Sequence, residues 1–234
     1  MNDLESMMGE DPQNTSKLVP ELQMHVYEHE FWGTVLNAPL VQQMPFHSWK
    51  MANMMFEEKT KRVAQAIEAG DWGQVLLWYE RPYRLGMLEL YKRHMSHEEY
   101  REQLASWWID AEQPQNNYGT RKIVALFKHA GFVMDSDIVD WEAMPTKIPV
   151  YRGVHHKRHK RGVSWTLKKE RARWFADRYH KPGSGHVYMT VVDKREVLGW
   201  FEDRGESEIV IDPRNRVIVE VKCEPNVGVD ILPS

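Results

Sequence analysis

The chain has 234 residues, long enough for one large domain or two small ones with a core in each. Hydrophobic residues make up 42% and charged residues 28%, the balance of an ordinary soluble globular protein, and no apolar run approaches bilayer length, which sets aside membrane insertion. A net charge of -3 argues against a surface built throughout for nucleic acid, and the single cysteine, Cys223, leaves no internal disulfide framework or cysteine-rich zinc site.

Residues 1–20 are polar, contain Pro12 and Pro20 and show no apolar period, which predicts a flexible arm. Met1-Asn2-Asp3-Leu4-Glu5 has neither the basic nor the apolar region of a secretory signal, so a cytoplasmic location is expected. From 21 to about 145 the apolar spacing is helical and rich in tryptophan. Residues 51–69 form an amphipathic stretch stopped by Gly70. Ser96-His97-Glu98-Glu99 has the capping-box pattern, and Tyr100, Leu104, Trp107 and Trp108 follow at helical spacing, predicting a helix over 97–111. A loop at 113–117 and a short helix over 120–129, closed by Gly131, come next. The ten tryptophans and thirteen methionines are read as core and interaction surface rather than a cofactor box.

After Met144-Pro145 the period becomes alternating. Strands are predicted at 148–152, 187–192, 209–211 and 217–221, with β-branched residues at every second position of a half-buried sheet. Asp212-Pro213-Arg214-Asn215 suits a type I turn and predicts a hairpin between the last two strands. Between the first two, residues 168–179 carry Ala172, Phe175, Ala176 and Tyr179 on one helical face. Gly183-Ser184-Gly185 reads as a connection, Trp165 as core, and Cys223 as packing within the alternating segment 217–223. The fold class is therefore α+β: an arm over 1–20, a mainly helical domain over 21–145 and a strand-rich domain over 146–234.

Three motifs of the second domain carry chemistry: Val150-Tyr151-Arg152-Gly153, then Gly162-Val163-Ser164-Trp165-Thr166, then Glu206-Ser207-Glu208 leading into Ile209-Val210-Ile211. In order and residue type they resemble the mono-ADP-ribosyltransferase family, in its branch with arginine, Ser-x-Thr and Glu-x-Glu. The likeness spans about 148–222, including the helix after the serine motif. It implies a split β-sandwich with NAD, as substrate, in the cleft between two sheets. It also implies transfer of ADP-ribose to a macromolecular acceptor, a protein arginine in preference to nucleic acid, with release of nicotinamide and no metal. The alternatives it leaves are an NAD glycohydrolase and a non-catalytic binding module on the same fold. Small transferases of this type are common among bacteriophage and bacterial effectors, which for a phage-encoded chain implies the host cytoplasm.

On this resemblance Glu208 is catalytic and Glu206 orients the acceptor. Arg152 holds the phosphate and ribose side of NAD, and Ser164 builds the nicotinamide pocket. Thr166, Tyr151 and Gly153 belong to the same cofactor-binding set. The chemistry asks for such residues independently. Breaking the nicotinamide–ribose bond develops positive charge on the sugar, which a nearby carboxylate stabilises. A planar, permanently charged guanidinium suits a pyrophosphate. On an extended backbone Glu206 and Glu208, two residues apart, point to one side.

Eleven residues separate Arg152 from Ser164, so any helix that larger members carry there is absent or replaced by the basic run His155-His156-Lys157-Arg158-His159-Lys160-Arg161. That run is solvated, or touches NAD phosphates, or attracts an acidic partner. His25 with His29, and His155 with His156 and His159, lack a third ligand at a defined spacing, so no metal is expected.

Overall fold

A computed structural model of the chain describes residues 13–111, 114–135, 140–202 and 205–222. Residues 1–12 of the expected arm, and Cys223, lie outside them. The chain divides into two compact units between Lys92 and Arg93, well before the boundary expected near 145.

The N-terminal unit is not simply helical. Strands β1 (Val26–His29), β2 (Gly33–Asn37) and β3 (Gln42–Gln43) form an antiparallel meander. They escape a search for alternation because they are short and β1 has no buried residue. Around them lie α1 (Pro20–Gln23), α2 (Trp49–Ala69), α3 (Trp72–Trp78) and α4 (Arg84–Tyr91). The expected amphipathic stretch is α2. Ser48 caps it by accepting from the Met51 amide, and Gly70, at φ 70°, takes the left-handed conformation that ends it. Leu22, Leu36, Phe46, Ala52 and Val75 are fully buried in the core of this unit. Leu18 is buried with them, and the Asn53 side chain bonds both the Val19 amide and the Lys17 carbonyl. Residues 17–19 are therefore pinned, against the expectation of a loose arm.

In the C-terminal unit α5 (His97–Asp110) begins at the predicted capping box, with both reciprocal Ser96–Glu99 bonds present. Helix α6 (Pro114–Ala130) starts where a loop was expected and is interrupted at Gly119, whose φ of 70° breaks the helix before residues 120–130. Beyond them come β4 (Val133–Met134), β5 (Lys147–Val154), β6 (Ser164–Thr166), α7 (Lys169–Asp177), β7 (His186–Asp193), β8 (Val197–Phe201), β9 (Glu208–Ile211) and β10 (Val219–Glu220). The seven strands form one mixed sheet in the order β10-β7-β5-β6-β9-β8-β4.

The expected hairpin does not form: β9 lies between β6 and β8, whereas β10 pairs with β7. The chain does turn at Arg214-Asn215, but Thr190 takes the Val217 carbonyl and draws the next segment across to β7. One sheet face carries the main core, with Ile148, Val150, Trp165, Val192, Ile209 and Ile211 fully or almost fully buried. On the other face α7 lies against β5, β6 and β7, while α6 packs on β8 and α5 on β4. The approach of α7 is close. A Cβ at Gly153 would stand 1.6 Å from the Ala172 carbonyl oxygen, and one at Gly185 would stand 2.2 Å from that of Ala176. Together these give the unit a mixed α+β fold with helices on one face of the sheet.

Candidate functional site

Strands β5 and β6 share one register pair, Tyr151 with Thr166. Thr166 in turn pairs with Glu208, and Glu208 with Phe201. Directly paired residues project to the same face, so Tyr151, Thr166, Glu208 and Phe201 make one row across four strands. Ser164, opposite Val210, stands one step along the same face. The two ends of the row are covered by different helices. Tyr151 packs with Ala172 and Ala176 of α7, and Phe201 packs with Trp108 of α5 and Phe127 of α6. Glu208 and Ser164 lie in the strip between, each half-buried.

Past its single register pair the β5–β6 ladder goes no further, and Arg152 fills the gap. Its Nη1 donates to the Ser164 carbonyl at 2.6 Å and its Nε to the His159 carbonyl at 3.1 Å. The guanidinium sits deep among protein atoms although the residue keeps some exposed surface. Burial lowers its pKa to about 10, and the negative charge of Glu208 opposes that shift. Arg152 therefore stays protonated at neutral pH, electrostatically coupled to Glu208. Two of the five N–H donors of an arginine are spent on the chain, which leaves three for a ligand.

The extended Glu206-Ser207-Glu208 expected from the sequence is not what forms. Ser207 has φ 47°, in the left-handed region, and β9 begins only at Glu208. For a residue other than glycine this conformation costs about 1–3 kcal/mol and persists where the surroundings impose it. Here they do. Ser207 is buried, its hydroxyl donates to the Glu202 carboxylate and its carbonyl accepts from Leu167. The Thr166 hydroxyl donates to the Glu206 carbonyl at 2.6 Å and accepts from the Lys168 amide. The kink turns Glu206 toward α7, where its Oε1 accepts from Nη2 of Arg171 at 3.0 Å. Glu208 thus lies in the row on β9, while Glu206 is engaged by α7. Thr166 is committed to positioning this turn, and Gly153 is explained by the backbone of α7 above it.

The basic run is solvated over most of its length, with residues 156–159 and 161 exposed, and it is also ordered. Residues Lys157–Arg161 form a 3-10 turn. Arg161 donates to the Pro213 carbonyl, Lys157 pairs with Glu220 and the His159 carbonyl receives Arg152. His155 stacks on His180 with ring centroids 3.4 Å apart, and His186 bonds Glu220 at 2.7 Å. Burial and the neighbouring His180, His156 and His186 hold the His155 pKa below the usual histidine value, against the pull of Asp177. His159 is lowered likewise by burial, Arg158, His156 and Arg152. Among the described residues no three His, Cys, Asp or Glu side chains are grouped to hold a metal ion, and no helix is long and apolar enough to cross a membrane.

Sequence reasoning missed Arg171 and Trp174. The signal lay in the helical spacing, which sets Trp174 and Phe175 three and four residues after Arg171. The site as built can hold an anion near Arg152 and place a carboxylate, Glu208, against a developing positive charge. No protein-family model, curated protein or solved structure matches the chain.

Proposed function

We propose that the C-terminal unit transfers ADP-ribose from NAD to an arginine of a target protein, releasing nicotinamide, and that it does so in the cytoplasm, the host's if the chain is a phage effector. The observation that carries this reading is geometric: Ser164 and Glu208 project to one face from the neighbouring strands β6 and β9, and the Arg152 guanidinium is fixed on the Ser164 carbonyl where the β5–β6 ladder ends. Among the described residues the strands on either side of that point still belong to one seven-stranded sheet, so the cleft between two sheets expected from the motifs is not formed, and the reading rests on the placed side chains.

The residues fit the dinucleotide. Arg152 offers donors to phosphate while its own geometry is fixed by two carbonyls, and Ser164 and Glu208 keep part of their surface accessible. NAD supplies an ADP-ribosyl group: the ribose C1′–nicotinamide bond breaks with its electron pair leaving on nicotinamide, the acceptor nitrogen bonds C1′, and that nitrogen loses a proton. Glu208, held by β9, counters the positive charge on the sugar side and can accept a ribose hydroxyl. Glu206 accepts from a guanidinium and can take the proton. Fixed charges of this kind act without reorganising at the moment of reaction. The pairing of Glu206 with the chain's own Arg171 favours a second reading as the resting activity, hydrolysis of NAD by water.

The test is incubation of the full chain with NAD labelled in its adenylate half and a cell lysate, followed by assay of free nicotinamide and mass spectrometry of labelled peptides. Nicotinamide release with ADP-ribose on arginine is expected. Intact NAD after prolonged incubation contradicts the proposal.

A further inference from the structure

Arg171 stands on the first turn of α7 with its guanidinium against a carboxylate and two aromatic rings, groups that recognise arginine. Its Nη2 donates to Oε1 of Glu206 at 3.0 Å, and its guanidinium carbon lies 4.5 Å from the Trp174 ring centroid and 5.4 Å from that of Phe175. The fit is incomplete. One hydrogen bond joins the pair where a bidentate fork would make two, and the buried Nε of Arg171 has no hydrogen-bond partner. Both side chains keep some exposure, 17% for Arg171 and 20% for Glu206, so the pair opens without unpacking the core. Arg178 holds a guanidinium over Trp174 as well, at 4.8 Å. A carboxylate beside an indole is a cradle for a planar cation.

We infer that Arg171 occupies the position a target arginine takes during transfer. This rests on the transferase reading and adds to it the way its acceptor site is guarded. With Arg171 in place Glu206 has a cation and no target, and protein arginine enters only by displacing it. An incoming guanidinium then inherits Glu206 on one side and Trp174 on the other, which makes Trp174 a specificity residue. Apparent acceptor affinity is then the intrinsic affinity multiplied by the fraction of molecules in which Arg171 has left the site.

Agmatine, a small free guanidine, is the probe. Titrated calorimetrically against the full chain without NAD, Arg171→Met should bind it about 5–10-fold more tightly than wild type, the size of one partly exposed charge-assisted hydrogen bond. Adding Glu206→Gln in that background should remove the gain. With NAD present, the KM for agmatine should fall by a similar factor while kcat holds. Arg171→Lys, which keeps the charge but loses the planar face on Trp174, should fall between and serves where the methionine variant is unstable. A purely structural role, in which Arg171 holds Glu206 ready, predicts the opposite sign, so weaker or unchanged agmatine binding in Arg171→Met overturns the inference. Wild-type protein that cleaves no NAD overturns the transferase reading beneath it. Cleavage of NAD with agmatine affinity unaffected by Arg171→Met overturns the role of Arg171 alone.

Discussion

Helix α7, which carries Arg171 and Trp174, contains an i,i+4 ion pair between Arg173 and Asp177 whose removal should cost far more than a surface bridge. The Asp177 carboxylate accepts from Nε of Arg173 at 2.9 Å, from Nη2 of the same arginine, and from the amides of Gly183 and Gly185 at 2.9 and 3.1 Å. Against burial, which acts to raise it, those amides and the Arg173 guanidinium hold the Asp177 pKa below the usual carboxylate range. Arg173 is only 4% exposed. Asp177→Ala therefore leaves a buried guanidinium without its counter-ion, a loss of about 3–5 kcal/mol. The exposed Gly183 amide can turn to water, whereas the buried Gly185 amide loses its acceptor and adds to the loss. For a unit of this size that amounts to a fall in Tm of about 10–20 °C. Urea denaturation and thermal unfolding of the full chain would measure it. Arg173→Met combined with Asp177→Leu should recover a good part of the loss, since the cost lies in the stranded charge. A loss below about 1 kcal/mol for Asp177→Ala would refute the reasoning, because that is what an exposed pair contributes.

Gly153→Ala should destabilise the unit by about 1–3 kcal/mol, because its Cβ meets the backbone of α7 and no rotamer change relieves it; a melting temperature equal to wild type would contradict this. Arg152→Ala should weaken NAD binding at least about tenfold by calorimetry and also cost about 1–3 kcal/mol, since the Ser164 and His159 carbonyls lose a charged donor; equal NAD affinity would remove Arg152 from the site. The pH dependence has one sign. His155 and His159, lowered in the fold, stabilise it above the ordinary histidine pKa and lose that contribution as pH falls below it. Asp177, Asp212 and Glu220, all lowered, and Asp193, pulled down to about 2 by Arg195, stabilise it above the ordinary carboxylate pKa and lose that on further acidification. Stability should thus decline steadily from pH 7 to pH 3, and a rise between pH 7 and pH 5 would contradict the assignment.

Local signals were legible and long-range ones were not. The spacing and Gly70 marked α2, Ser96 and Glu99 marked the start of α5, and β-branched alternation marked β5 and β7, because each depends on neighbours a few residues away. The destination of β10 depends on Thr190 and β7, some thirty residues distant, so a turn at Pro213 looked like a hairpin that the sheet does not make. The order of the motifs around Arg152, Ser164 and Glu208 was readable, and the register that puts Thr166 beside Glu208 was not. Ser207 gave no warning of its left-handed backbone, which follows from contacts with Leu167 and Glu202. Without that kink Glu206 would share a strand face with Glu208, and the engagement with Arg171 would not exist. The boundary was misplaced for a related reason: α5 and α6 look like the helices before them, but their aromatic residues Trp108 and Phe127 pack on Phe201 of the sheet.

The central claim is that Glu208 stabilises the charge that develops when NAD is cleaved, and release of nicotinamide by Glu208→Gln tests it most directly. The substitution keeps size and shape on β9 while removing the negative charge that acts on Arg152. Release should fall about 10²–10³-fold, as for loss of one preorganised electrostatic partner, with NAD still bound and the melting temperature lowered only to the extent that Glu208 offsets the burial of Arg152. Undiminished release by this variant would contradict the account.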